Sequence, residues 1–358
     1  MINSIPTAHA VAVEPSAPVF TPSHSNSHEN QRTDLERKNI LREHYPSIAP
    51  GLADQFVKSC DTFGSRFWIV DNSGSMATSD GHVMIEGGMV TCSRWEELGS
   101  TICWHAEMSS RLQVPTEFRL LNPPPRANQV VTVGEGAAGR GLEEIRKACS
   151  SGPTGRTPLC SQIRQVVQRV RLQESQLRAE GKMALVVIAS DGASTDGDVA
   201  AALRPLQDLP AWVVIRLCTD DDSVVEYWNE IDEDLEMDMD VLDDLCGEAS
   251  EVTALNPWLT YAPELHRLRE FGTTTKSFDL LDERPFLANE VKDILQIIFG
   301  SAGSISHPDL GVSDFVQSIE AAQKNCSEVY NPVKKRKTGW VDVKKLRNYV
   351  KSGGCTVM

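Results

Sequence analysis

The chain has 358 residues, 41% apolar and 24% charged, enough to bury one large core or two smaller ones. Its net charge of −15 lacks the basic footprint that holds phosphate backbones, which excludes a general nucleic-acid binder. No apolar run approaches the ~18–20 residues that span a bilayer, and nine scattered cysteines without a CxxC pair read as free thiols of a reducing compartment.

Residues 1–32 are rich in Ser, Pro, His and Asn and have no apolar period, which predicts a disordered tail. The first thirty residues carry no Lys or Arg, so neither a secretory nor an Arg-rich transit leader is expected. His24 and His28 have i, i+4 spacing, but the stretch is not helical and they read as part of the polar tail. A helical segment follows over 33–60. Thr33 and Glu36 have capping-box spacing, and Pro46 and Pro50 interrupt the apolar face.

From 64 to 300 strands alternate with helices. Phe67–Val70 is a short apolar run, consistent with a strand buried on both faces. Arg94–Leu112 reads as a helix, Glu117–Leu121 and Val130–Val133 as strands, and Leu142–Cys149 and Leu159–Leu177 as helices. Met183–Ala189 and Ala211–Cys218 are the most apolar strands, with a helix over Val199–Leu206 between them. This order predicts an α/β fold with a doubly wound, mostly parallel sheet. Residues 220–244 hold thirteen Asp/Glu and no Lys or Arg. They lack the glycine and ligand spacing of a calcium loop and read as a solvated acidic surface. With the apolar residues up to 271 they form an expected insertion of 220–271 packed on the sheet. Thr274–Leu280 reads as a last strand and Asn289–Phe299 as a last helix. A basic helical region is expected over 308–351, with short helices at 313–324 and 341–351.

The strand Phe67–Val70 runs into Asp71-Asn72-Ser73-Gly74-Ser75, a DxSxS element. A tight turn, permitted by Gly74, can point Asp71, Ser73 and Ser75 to one side. Three hard oxygens, one anionic, suit Mg²⁺ or Mn²⁺. Two further elements strengthen the pattern. Gly155-Arg156-Thr157-Pro158-Leu159 lies in a loop before a helix and supplies a hydroxyl. Ser190-Asp191-Gly192 follows a strand and supplies a second carboxylate.

Together these three elements resemble the von Willebrand factor A domain family with its metal-ion-dependent adhesion site. The resemblance covers about 64–300 and implies a Rossmann-like sheet of order 3-2-1-4-5-6. It implies metal ligands Asp71, Ser73, Ser75, Thr157 and Asp191, one aspartate acting through water. Arg156 stands where small residues are usual, and Thr154 is a second candidate for the threonine. The family's remaining coordination position accepts a carboxylate from a protein partner, so a binding module rather than an enzyme is implied.

Gly134-Glu135-Gly136-Ala137-Ala138-Gly139 matches GxGxxG after a strand, but no acid ends a second strand about 20 residues on. It reads as a surface loop, with a nucleotide-dependent enzyme as the alternative. His105 and His266 sit among apolar periodic residues and read as packed. No nucleophile–base pair stands out.

Residues 324–358 hold nine Lys/Arg against two acids, a net +7, so the remainder carries −22. The chain ends Cys355-Thr356-Val357-Met358, a CaaX sequence whose Met favours farnesyl, behind the spacer 352–354. One lipid anchors only marginally. Lys334, Lys335, Arg336, Lys337, Lys344, Lys345, Arg347 and Lys351 could supply the second signal toward an anionic membrane surface. A cytoplasmic, peripheral membrane location is therefore expected. The alternative is nuclear import of a scaffold through the KKRK run at 334–337.

Overall fold

A computed structural model describes residues 32–85, 88–135, 139–219, 221–235, 237–300 and 304–352. The N-terminal tail with His24 and His28 lies outside them, as does Cys355. Helix α1 (Asp34–His44) begins as expected: the Thr33 hydroxyl accepts from the Glu36 amide, and the Glu36 carboxylate accepts from the Thr33 amide. It ends before Pro46. α2 (Pro50–Thr62) restarts with Pro50 at its first position, where a missing N–H costs nothing.

Strand β1 (Phe63–Val70) follows, then β2 (Gly81–Ile85), β3 (Gly88–Cys92), α3 (Arg94–Leu112), β4 (Thr116–Leu120) and β5 (Val130–Val133). Next come α4 (Arg140–Cys149), α5 (Leu159–Glu180), β6 (Met183–Ser190), α6 (Val199–Leu203) and β7 (Ala211–Leu217). The chain continues through α7 (Asp222–Asp234), β8 (Met239–Leu242), α8 (Leu245–Leu255), α9 (Pro263–Phe271), α10 (Lys276–Asp279) and α11 (Ala288–Phe299). It closes with α12 (Val312–Gln323), β9 (Val329–Asn331), β10 (Arg336–Thr338) and α13 (Val343–Lys351).

Six strands form one sheet in the order β5-β4-β1-β6-β7-β8, parallel except for the edge strand β5. Counted within this sheet the order is 3-2-1-4-5-6, a doubly wound, Rossmann-like α/β fold. The period-2 alternation of strands explains why the central ones read as unbroken apolar runs. Phe67 and Ile69 of β1 join Val186, Ile188, Val213 and Ile215 on one face, under α5, α6 and α7. Trp68 and Val70 join Leu185, Val187, Ala189 and Val214 on the other, under α3 and α4. A third apolar cluster unites α1, α2 and α9 with α11, α12 and α13 around Phe56, Trp258, Phe315 and Trp340. Gly51 of α2 lies so close to α11 that a Cβ would sit 2.1 Å from the Ile297 carbonyl oxygen, so only glycine fits there.

Four elements depart from the sequence expectations. The antiparallel hairpin β2–β3 between β1 and α3 was not foreseen. The acidic segment is not all surface. Trp228, Ile231 and Leu235 of α7 and its C-terminus are buried, and β8 supplies the sixth strand of the sheet. Asp240 and Asp244 are buried too, Asp240 against Arg269 at 2.9 Å. Around Thr274–Leu280, expected as a strand, the chain forms the short helix α10 with Phe278 in the core. The basic region expected to be helical contains the hairpin β9–β10, whose turn holds Lys335 at φ +52°. Its strands are three residues each, too short for their alternation to register.

Candidate metal centre

β1 and β6 are parallel neighbours with Val70 opposite Ala189, and the Asp71 amide donates to the Ala189 carbonyl at 2.9 Å. The DxSxS turn and Ser190-Asp191-Gly192 therefore leave the sheet side by side. β4 flanks β1 on its other side, so this is where the strand order reverses, the usual place for ligands in open α/β sheets.

Asp71 is fully buried. Its Oδ1 accepts from the Ser73 amide at 2.8 Å and its Oδ2 from Ser190 Oγ at 2.6 Å. Burial pushes its carboxyl above the usual range. The Ser190 and Ser73 hydrogen bonds pull the other way, and the Asp191 charge adds to the rise. Ser73 Oγ lies 3.0 Å from Ser75 Oγ, and Ser75 Oγ donates to Asp191 Oδ1 at 2.9 Å. Ser73, Ser75 and Asp191 thus form one chain of oxygens, and Asp71 joins it through the Ser73 amide. Gly74 does not adopt a positive φ, so the turn does not depend on it for that reason. Its amide instead donates to the Gly155 carbonyl at 3.1 Å.

The second loop is tied to the first. The Thr154 amide donates to the Asn72 carbonyl at 2.8 Å; the Asn72 side chain donates to the Asn122 carbonyl and accepts from the Asn122 amide, and the Asn122 side chain donates to the Arg156 carbonyl. Thr157 is buried and Thr154 exposed. No hydrogen bond among the described residues engages the Thr157 hydroxyl, while its carbonyl accepts from Leu159 and Thr195.

Sequence reasoning missed three participants. Ser190 fixes Asp71. Arg94, at the start of α3, donates through Nη1 to Asp191 Oδ2 at 3.0 Å and through Nε to Asp80 Oδ1 at 2.7 Å. Asp80 is held below the usual carboxylate range by the Arg94 hydrogen bond. Arg94 stands 97 residues from Asp191 and belongs to no motif, so nothing local could have flagged it.

A second group lies where β2, α3 and the N-terminus of α8 meet. His82, Glu97 and Asp244 place one ligand atom each within 4.8 Å of one another, and this cluster could hold a metal ion. No motif announced it, because its members are far apart in sequence. His82 sits on the unforeseen hairpin and Asp244 in the segment read as acidic surface.

The glycine loop follows the antiparallel edge strand β5, whereas the dinucleotide fingerprint needs a parallel βαβ unit. Gly134 has φ +81°, and a Cβ there would lie 2.1 Å from the Val114 carbonyl oxygen, a packing reason for the residue. Residues 136–138 are outside the described ones. His105 and His266 are buried as expected, His105 donating through Nε2 to Glu270 Oε2 at 2.8 Å.

All eight basic residues named for the tail are exposed. Lys334 pairs with Asp342, the N-cap of α13, at 3.2 Å, so the hairpin abuts the helix that carries the other four. Among the described residues no helix is long and apolar enough to cross a membrane. No protein-family model matches the chain, and no curated protein matches it.

Proposed function

We propose that the chain is a Mg²⁺-dependent protein-binding module of the A-domain type, held at a cytoplasmic membrane face by a farnesyl group on Cys355. One observation carries the metal site: the spacing of its oxygens. Ligands on adjacent corners of an octahedron with ~2.1 Å metal–oxygen bonds lie about 3.0 Å apart. Ser73 Oγ to Ser75 Oγ is 3.0 Å and Ser75 Oγ to Asp191 Oδ1 is 2.9 Å. Oxygens at this spacing could serve as neighbouring ligands of one ion, with the serine hydroxyls keeping their protons and turning them away from it. Every donor is a hard oxygen, which favours Mg²⁺ or Mn²⁺ over thiophilic metals. With one aspartate acting through water, Mg²⁺ would keep part of its charge unneutralised by direct contacts, which suits a carboxylate from a partner protein at the open position.

The membrane half rests on charge and reach. Three residues separate Lys351, the last basic residue, from Cys355, which at ~3.5 Å per residue keeps the lipid within about 11 Å of Ser352. Calorimetric titration of Mg²⁺ and Mn²⁺ into the wild type and Asp71→Ala tests the metal site. The wild type is expected to release heat and the variant not, and equal heats reject the site. Intact mass after expression in a prenylating cell tests the tail, where an unmodified Cys355 with Met358 retained rejects the anchor.

A further inference from the structure

We propose that His82, Glu97 and Asp244 form a second metal site, of Zn²⁺ type, opening on the pocket beside the β2–β3 hairpin. The donors set the metal class. One imidazole nitrogen and two carboxylate oxygens suit zinc or a similar transition metal better than Mg²⁺ or Ca²⁺, which take oxygens.

Each carboxylate is already oriented from behind. Asp244 Oδ1 accepts from the amides of Cys246 and Gly247 at 2.7 Å each, leaving Oδ2 toward His82. Glu97 binds Arg216 through Oε1, while Oε2 accepts from the His82 amide at 2.8 Å. Supporting contacts of this kind are what hold metal ligands in register. The Nδ1 atom of His82 is buried and makes no hydrogen bond among the described residues. It stands 3.9 Å from Asp244 Oδ2, too far for a hydrogen bond. Ligands around a tetrahedral zinc with ~2.0–2.1 Å bonds lie about 3.3–3.4 Å apart, so the His82–Asp244 pair would close by about 0.5 Å and a pair at the 4.8 Å limit of the cluster by about 1.5 Å. His82 is half-buried on a two-stranded hairpin, an element that can supply such a shift.

The pocket gives the independent sign of a ligand. It is a small cavity of about 50 Å³, and His82, Glu97, Arg216, His266 and Glu270 line it. His266 Nε2, Glu270 Oε1 and Arg216 Nε belong to side chains at least 95% buried, yet none of these atoms makes a hydrogen bond. Glu270 Oε1 is 3.5 Å from Arg216 Nε and 3.6 Å from His266 Nε2. Buried polar atoms left in this way cost ~1–3 kcal/mol each unless a ligand or water reaches them. Three protein ligands leave a zinc at least one open position, the arrangement of sites that bind or activate a small molecule. With Glu97, Asp244, Glu270, Arg216 and Arg267 charged, a divalent ion turns the local charge from −1 to +1. A small anion is therefore the class of ligand the open position would take.

This site shares no residue with the one proposed for Mg²⁺, so the two fail separately. The full-length chain, purified without chelator and dialysed against buffered Zn²⁺, is analysed for metal per chain. About one equivalent is expected in the wild type and in Asp71→Ala. His82→Gln and Asp244→Asn are expected to bind zinc at least about 100-fold more weakly. Asn retains the capping oxygen at 244, and His82→Gln changes a half-buried hairpin residue, so both variants should fold. Replacement by Co²⁺ gives a second readout, a visible absorption band that His82→Gln shifts or abolishes. Zinc bound equally by wild type and His82→Gln overturns the proposal. So does less than about a tenth of an equivalent in the wild type.

Discussion

Replacing Asp71 by Asn keeps the shape of the side chain and removes its charge. In the metal-free protein that charge is unfavourable, because the carboxylate is fully buried and faces Asp191. Both of its hydrogen bonds can survive: the Asn oxygen accepts from the Ser73 amide, and Ser190 can turn its hydroxyl to accept from the Asn amide. In chelator, Asp71→Asn should therefore be as stable as the wild type or more so, by up to about 1–2 kcal/mol. An unfolding entropy of ~2.1 cal/mol/K per residue over ~320 residues makes 1 kcal/mol worth about 1.5 °C. Mg²⁺ at ~10–100 times its dissociation constant adds about 1.4–2.7 kcal/mol to the wild type, a rise of about 2–4 °C. The variant lacks the anionic ligand and should gain none of it. Thermal melts in chelator and in Mg²⁺ read both effects. The reasoning fails if Asp71→Asn melts several degrees below the wild type in chelator, or gains as much from Mg²⁺.

Burial lowers the His266 imidazole from 6.5 to about 4. The unfolded chain takes up a proton below pH 6.5 that the folded chain refuses until about 4. Stability from this residue is therefore complete above pH 6.5 and lost as the pH falls to 4, by up to about 3 kcal/mol. Urea titrations across that window should show the slope, and His266→Gln should flatten it. Arg216→Met leaves Glu97 and Glu270 buried without their shared cation and should cost about 3–5 kcal/mol, partly recovered by adding Glu97→Gln. A cost under about 1 kcal/mol would contradict the ion-pair assignment. Gly134→Ala forces a Cβ into the Val114 carbonyl at φ +81° and should destabilise by more than about 2 kcal/mol. Gly192→Ala, with open space around it, should stay within about 0.5 kcal/mol by the same denaturation assay. Vesicle sedimentation of the prenylated chain should weaken about fivefold for each of Lys334, Lys335, Arg336 and Lys337 changed to Ala, given ~1 kcal/mol per basic residue. Affinity independent of these changes would remove the basic surface from the membrane proposal.

The sheet was legible because its central strands are buried on both faces. Met183–Ser190 shows in sequence as an apolar run bounded by polar residues, and the helices between strands carry clear apolar faces. The edge strand β8 was hidden for the opposite reason. Its Met239-Asp240-Val241-Leu242 carries a carboxylate whose partner, Arg269, is known only once the chain has folded. The same limit applies at the sites. Asp71, Ser73 and Ser75 announce themselves within five residues of one turn. Arg94 and the His82 cluster are joined by long-range folding and leave no local trace, and Ser190, though part of a motif, meets Asp71 across 119 residues.

Arg94 and Glu97 stand nearly one turn apart at the start of α3, whose first turn is locked by the Ser93–Glu96 capping box. Arg94 grips Asp191, and Glu97 grips the His82 amide and Arg216. A capped helical turn moves as a rigid beam. A cation bound beside Asp191 would repel the Arg94 guanidinium, and a shift of α3 that relieved the repulsion would carry Glu97 with it. Occupancy at one end of the helix would then alter affinity at the other, by the same factor in both directions.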